Sequence, residues 1–376
     1  MSGFLPELTQ ALLLEVALAA PERAVPAWYE FRAVRGEVGL TGIDPASSHL
    51  LAMISRRLET LAHDGWEVPK IKGVHRKSLT KNLMLEHRVK PELERLRAAG
   101  VDFVVAGPMG LLRRVFPDPG ARYVSAFDVL VKPGDAARAV AALTASGAFR
   151  ARSPEDPARR AAIVDFSVLE SDDELELVVH TAFLPESFTA GGDDAPVWAR
   201  TVTGPAGGLA DARLLGPEDA LVYAAVHGAV WTVHGFVDWA LDLAGLVRTY
   251  AIDWDLVVSE AARYHVGIPL GATLGVLLSR GVEVPTEVLR RLVALPKSAA
   301  ERDYFEVKFR RPPLDLATLW ADWRFRVAPG KGPLAAALGF PAFVEERLGL
   351  PGPRATAGLF LGALKAQVTP ERPAGR

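Results

Sequence analysis

The chain has 376 residues, 49% of them apolar and 23% charged, with a formal net charge of −2. This composition excludes a disordered chain, and 43 Lys+Arg against 45 Asp+Glu exclude the global basic field of a non-specific nucleic-acid binder. With no cysteine, disulfide scaffolds, thiolate–zinc sites and cysteine nucleophiles are excluded as well, and a cytoplasmic address is expected.

The opening residues MSGFLPELTQALLLEVALAA have no positive region ahead of their apolar run, and Glu7 and Glu15 interrupt it, so they do not read as a signal peptide. Apolar spacing of three and four predicts helices in FLPELTQALLLEV and in SSHLLAMISRRLETLAHDG, the latter capped by Asp44 or Ser47 and closed by Gly65. A third helical run, Ser78 to Gly100, contains Pro91, which should kink or split it. Residues 1–95 therefore read as a helical N-terminal domain.

Beginning at Val101 the period shortens. DFVVA at 102–106, FDVLV at 127–131, AAIVDFSVL at 161–169 and ELELVVH at 174–180 predict strands, with a helix from Asp135 closed by Gly147. The expected fold class is α+β, with residues 96–186 forming a small mixed sheet with helices on one face rather than a doubly wound domain. Residues 187–216, rich in Gly, Ala and Pro, read as a connector, and residues 217–376 as a helical C-terminal domain. Ala220 to Val237 carries no formal charge, yet it holds His227, His234 and two glycines between Asp219 and Asp238. It reads as a buried helix, so no membrane partner is expected.

Phosphate-loop, dinucleotide, zinc-protease and serine-hydrolase signatures are all missing, and no cofactor is expected. His227 and His234 lie two turns apart, but two imidazoles without a third ligand make no zinc site. Between Lys70 and Lys90, the cations Lys70, Lys72, Arg76, Lys77, Lys81, Arg88 and Lys90 face Glu86 alone. Such a stripe is either a solvated helix face or a receiver for an acidic peptide, a phosphate or a nucleic acid. Trp66 is the one aromatic nearby, so base stacking has little support and a nucleic-acid partner is not expected.

The segments VVAGPMGLLRRVFPDPGARYVSAFDVLVKPGD and ELELVVHTAF carry the strongest signal. With KGVHRKSLTKNLMLEH before them and LGPEDALVYAAVHGAVW, WALDLAGLV and IDWDLVV after, they resemble a family of bacterial uncharacterised nucleotidyltransferases over nearly the whole chain. The resemblance implies a nucleotidyltransferase-like small mixed sheet with helical flanks. Members with intact sites look like Leu-Lys-Gly after the first strand, Arg-x-x-x-Asp-x-Asp opening the second, and a carboxylate two positions before a strand-end His. Nucleotidyl transfer needs Mg²⁺, a hard ion that takes carboxylate oxygens, and alternate strand residues deliver two of them to one face.

In this chain the Lys position is Ala106, followed by a retained Gly107; Arg122 is retained, Ala126 replaces the first Asp of the pair, Asp128 remains, and Val178 stands two before His180. Glu174 and Glu176 share the parity of Val178, and a register shift would bring Glu176 into the vacated place. Three lost reactive groups should empty a metal site, so neither a metal ligand nor a catalytic residue is expected, and the cleft should hold something instead. Proteins of this family occur with genes for ribosomally made, modified peptides, so the resemblance implies a precursor or leader peptide as cargo and its modifying enzyme as partner. The candidate peptide-binding residues are Arg76, Lys77, Lys81, Gly107, Arg113, Arg114, Arg122, Asp128 and His180, around a groove or a sheet edge. Two alternatives stay open. One is an active Mg-dependent nucleotidyltransferase in which Asp128 and a displaced acid, Asp165, Glu174 or Glu176, hold one metal; the other is a structural partner of a modifying enzyme.

Overall fold

The computed structural model describes residues 6–151 except 62 and 64, then 166–184, 193–231, 237–310, 316–326, and 333–368 except 349 and 351. It divides into two compact units, residues 1–296 and 297–376. In the first, helices α1 (Leu8–Leu18), α2 (Pro21–Arg35), α3 (Pro45–Thr60) and α4 (Val68–Ala98) precede the sheet. Asp44 caps α3 as expected, its carboxylate accepting from the Ser47 amide at 2.8 Å. Pro91 does not split the third helix: α4 runs through it for 31 residues. Leu85 and Val89 before the proline and Leu93 and Leu96 after it are all fully buried, so packing on both sides outweighs one lost backbone hydrogen bond.

Seven strands form one mixed sheet: β1 (Phe103–Ala106), β2 (Ala126–Val131), β3 (Arg150–Ala151), β4 (Phe166–Glu170), β5 (Glu176–His180), β6 (Val202–Ala206) and β7 (Leu209–Leu214), in the order β3-β4-β5-β2-β1-β7-β6. β2 runs antiparallel to β1 and parallel to β5, and β1 is parallel to β7. The helix expected from Asp135 is α5 (Ala136–Thr144), with Gly147 at a positive φ of 73° just beyond it. The strand expected at 161–169 lies within the described residues only from Phe166 onward.

The connector expected at 187–216 is corrected by β6 and β7, which form a hairpin that extends the sheet beyond β1, and by the short α6 (Ala195–Ala199). VTGPA and LADARL lack the β-branched density that marks a strand by composition. Gly204 and Pro205 are tolerated because β6 is an edge strand with a register shift at that point, where a missing amide donor breaks no ladder. Leu209, Ala212 and Leu214 of β7 are buried.

The helices α7 (Pro217–Val226), α8 (Trp239–Thr249), α9 (Trp254–Arg263), α10 (Gly267–Ser279) and α11 (Thr286–Ala294) belong to the same unit as the sheet, so the expected boundaries near 95 and 216 do not separate compact units. The expected helix over Ala220 to Val237 stops being α-helical at Val226 and continues as a π-type turn over His227–Trp231, while His234 lies outside the described residues. Among the described residues no helix is long and apolar enough to cross a membrane. The second unit holds α12 (Ala299–Arg310), α13 (Leu316–Arg326), α14 (Pro333–Leu348) and α15 (Pro353–Val368), around a core of Leu319, Trp323, Phe340, Phe343 and Val344.

Asn82 ties α4 to the long β1–β2 loop. Its amide nitrogen donates to the Pro119 and Arg122 carbonyls at 2.6 and 2.7 Å, and its oxygen accepts from the Val124 amide at 3.2 Å. An Asn82→Leu substitution strands three backbone groups, two of them buried, and is expected to lower unfolding stability by about 2–4 kcal/mol, read by urea denaturation.

Candidate functional site

The strand register sets the chemistry of the site. Ala106, Asp128, Val178 and Val168 lie side by side on β1, β2, β5 and β4, so the surviving carboxylate has an alanine on one side and a valine on the other. No register shift brings Glu176 into that row: it stands opposite Ala126 instead. Glu174 is exposed in the turn before β5 at a φ of +59°, and Asp165 lies outside the described residues.

Asp128 is buried and Nε2 of His180 meets its Oδ1 at 2.8 Å. The Tyr223 hydroxyl of α7 lies 3.4 Å from the same imidazole nitrogen, and the Tyr223 ring stacks on His227 with centroids 5.4 Å apart. Burial opposes charge on Asp128, but the hydrogen bond from His180 and the positive charge that His180 and His227 can carry hold its carboxyl below the usual value. Gly107 has a φ of +61°, and a Cβ there would sit 2.6 Å from Oδ2 of Asp128. Both the turn and the close approach to the carboxylate require glycine.

A cavity of about 790 Å³ opens over this face, at the ends of β1 and β7 and the starts of β2 and β5. Gly107, Arg114, Arg122, Asp128 and His180 line it, as do Glu176, Tyr223, His227 and Trp239. Its volume suits a small organic ligand or a few residues of peptide.

Arg122 has its guanidinium buried against α8. It donates to Asp242 at 2.7 and 2.8 Å, to Asp238 at 2.8 Å, and to the Tyr123 carbonyl. Burial opposes ionisation of both acids; facing Arg122 and His49 holds Asp238 at about 2, whereas burial leaves Asp242 raised. Arg122 therefore closes the base of the cavity as a structural clamp, and its donors are largely committed.

The other basic candidates scatter. Arg113, at a φ of +67°, pairs with Glu86 of α4 at 2.7 Å, and Lys81 donates to the Tyr123 hydroxyl at 2.8 Å while lying over that ring. Arg76 and Lys77 are exposed on α4, and none of these four residues lines the cavity. Further along the stripe, Lys72 meets Glu59 at 3.4 Å and Arg88 meets Asp173 at 3.1 Å. Two of the seven cations of the stripe are thus met by acids from other segments of the chain.

Sequence reasoning missed Tyr223, Trp239, Asp238 and Asp242 as parts of the site. The available signal was Asp242 inside the apolar run WALDLAGLV, because a carboxylate on a buried helix face needs a partner.

The donor set does not fit a magnesium shell. Ala106, Ala126 and Val178 offer no oxygen ligand, Asp128 is engaged by His180, and no group of three or more His, Asp or Glu among the described residues could hold a metal ion.

The family model for uncharacterised nucleotidyltransferases matches residues 46–278, and the chain belongs to that family. The match covers the sheet, the cavity and the clamp. Among solved structures, an antigenic nucleotidyltransferase-like protein from Paracoccidioides brasiliensis is similar at a TM-score of 0.32 and 14% identity, over 57% of this chain and 95% of the other. No curated protein matches the chain.

Replacing Arg122 by Met would leave the buried Asp242 and the part-buried Asp238 without their guanidinium, with His49 still facing Asp238. A loss of about 3–5 kcal/mol in urea unfolding is expected. For Asp238 the folded carboxyl sits at about 2, below its value in the unfolded chain, so its contribution is present above pH 4 and is lost as pH falls toward 2. The stability gap between wild type and Asp238→Asn should therefore narrow steadily between about pH 5 and pH 2. A gap independent of pH would show that Asp238 is not ionised in the fold.

Proposed function

We propose that this protein is a catalytically silent nucleotidyltransferase-family member whose cavity binds a peptide and presents it to a modifying enzyme. The observation that carries the reading is the cross-strand row in which Asp128 stands between Ala106 and Val178, with Ala126 two residues before it and one of its own oxygens on His180. A transferase of this kind needs carboxylate oxygens converging on Mg²⁺, and losing one preorganised group typically costs about 10²–10³ in rate. Here the motif's lysine and two of its carboxylates are replaced by Ala106, Ala126 and Val178, while the cavity itself persists.

Two places on the unit could receive an extended peptide. The outer sheet edges favour it least: β3 is two residues long, and β6 is interrupted by Pro205 and a register shift. The cavity offers an apolar wall from Val105, Leu111, Val178 and Trp239 together with a few polar groups, which suits side-chain recognition better than backbone pairing. The peptide class follows from the genomic company that the family resemblance implies, a precursor or leader peptide of a modified ribosomal product.

Calorimetry with Mg-ATP on the full chain is expected to give no micromolar binding. Fluorescence polarisation with peptides encoded beside the gene is expected to give saturable binding. Micromolar Mg-ATP affinity abolished by Asp128→Ala would overturn the silent reading, and failure of every such peptide to bind would overturn the peptide reading.

A further inference from the structure

Each acid that lines the cavity is already engaged. His180 meets Asp128 at 2.8 Å, Arg122 donates to Asp242 at 2.7 and 2.8 Å and to Asp238 at 2.8 Å, and Glu176 has an interaction of its own. The lining histidines are accounted for in the same way. His49 faces Asp238 at 3.3 Å and His180 sits on Asp128, while burial holds His227, stacked on Tyr223, below its ordinary pKa and so neutral at pH 7. Arg114 is the charge that remains. Its Nη2 donates to the Leu215 carbonyl at 2.9 Å and its guanidinium lies 6.0 Å from the centre of the Tyr250 ring, yet among the described residues no carboxylate pairs with it. Its neighbour Arg113, by contrast, has Glu86 at 2.7 Å. The Arg114 Nε is buried without a hydrogen-bond partner, and burial pulls the pKa of the group down. A guanidinium drawn out of water without an acid is costly, and an incoming oxyanion offsets that cost.

The number of charges selects the anion. One uncompensated guanidinium in an otherwise engaged lining matches one negative charge. A phosphate dianion would bring a second charge with no cation to meet it, beside four carboxylates that keep part of their field even when paired. The guanidinium also has donors beyond the one given to Leu215, and the two oxygens of a carboxylate can accept them. The wall selects the rest of the ligand. Leu111, Leu215, Ala224 and Trp239 are buried apolar residues of the same lining, and Ala106 and Val178 flank Asp128 in the strand row. Such a surface favours an apolar side chain over a polar one.

Resting on the peptide reading above, we infer that Arg114 is the receptor for a single peptide carboxylate in this cavity, and that an apolar side chain next to that carboxylate packs on the apolar lining. The C-terminus of a peptide and an acidic side chain are two sources of the same chemistry.

The test titrates N-acetylated dipeptides into the full chain by calorimetry at pH 7 and matched ionic strength. The probes are Leu-Leu with a free C-terminus, Leu-Leu amide, Leu-Glu amide and Leu-Gln amide, with inorganic phosphate as a further ligand. With a C-terminal source the free acid of Leu-Leu should bind about tenfold more tightly than its amide; with a side-chain source Leu-Glu amide should have the same advantage over Leu-Gln amide. Arg114→Gln should abolish that preference and leave the binding of the neutral amides unchanged, and Arg114→Lys should retain part of it. Replacing the first leucine of the preferred probe by alanine should weaken binding about tenfold. If Arg114→Gln fails to fold, the wild-type comparison and the Lys variant decide the matter. Equal binding of each acid and its neutral control, a preference undiminished in Arg114→Gln, an alanine probe that binds as well, or phosphate binding more tightly than either acid would each overturn the inference and leave the peptide reading in place. Absence of binding by all four dipeptides up to about 10 mM overturns the inference too. The peptide reading falls only if the peptides encoded beside the gene fail as well.

Discussion

The Arg122 clamp is the interaction on which the site depends. A guanidinium that enters from the loop before β2 and meets two carboxylates of the α8 region joins the sheet to the helices behind it. Neither partner tolerates burial alone, since an isolated buried ion costs several kcal/mol and only the close, multiply hydrogen-bonded pair offsets that cost. The clamp fixes the position of α8 against the start of β2, and so it sets one wall of the cavity. Asn82 performs the neutral counterpart of the same task from α4, holding the carbonyl of Arg122 itself.

Around this fixed point the remaining polar groups settle into two kinds of environment. Asp128, His180 and Tyr223 form a chain of short contacts inside the sheet face, which satisfies the surviving acid internally. Arg114 is placed at the opposite side of the cavity without an acid of its own. An active transferase would be expected to direct several oxygens at one point. On the reading proposed above, the charges here are spread around the cavity to hold a peptide instead.

β1, β2, β4 and β5 were legible because their apolar residues are dense and β-branched, and α5 because its apolar face ends at a glycine, whereas the two-residue β3 carries no such run. The hairpin of β6 and β7 was not legible, because its residues are small or turn-forming and become a strand pair only by adding to β1. Pro91 gave the opposite error, since local chemistry argued for a break that packing on both sides of it overrode. Within the site, Ala106, Ala126 and Val178 could be read at the motif positions of a lysine and two carboxylates, whereas the placement of Val178 beside Asp128 came from the pairing of β2 with β5.

What the sequence determined by itself was the family pattern, the α+β class and which residues stand at the motif positions, because each depends on residue identity and local period alone. What only the tertiary structure decided was which charges remain available. Seven cations along residues 70–90 read equally as a solvated face or a receiving surface, and the fold sets acids from other segments against two of them. Arg113 and Arg114 are neighbours of the same type, and only the fold gives one of them Glu86 and leaves the other facing a cavity. The reason is that Coulomb attraction depends on distance through space, and distance is fixed by packing.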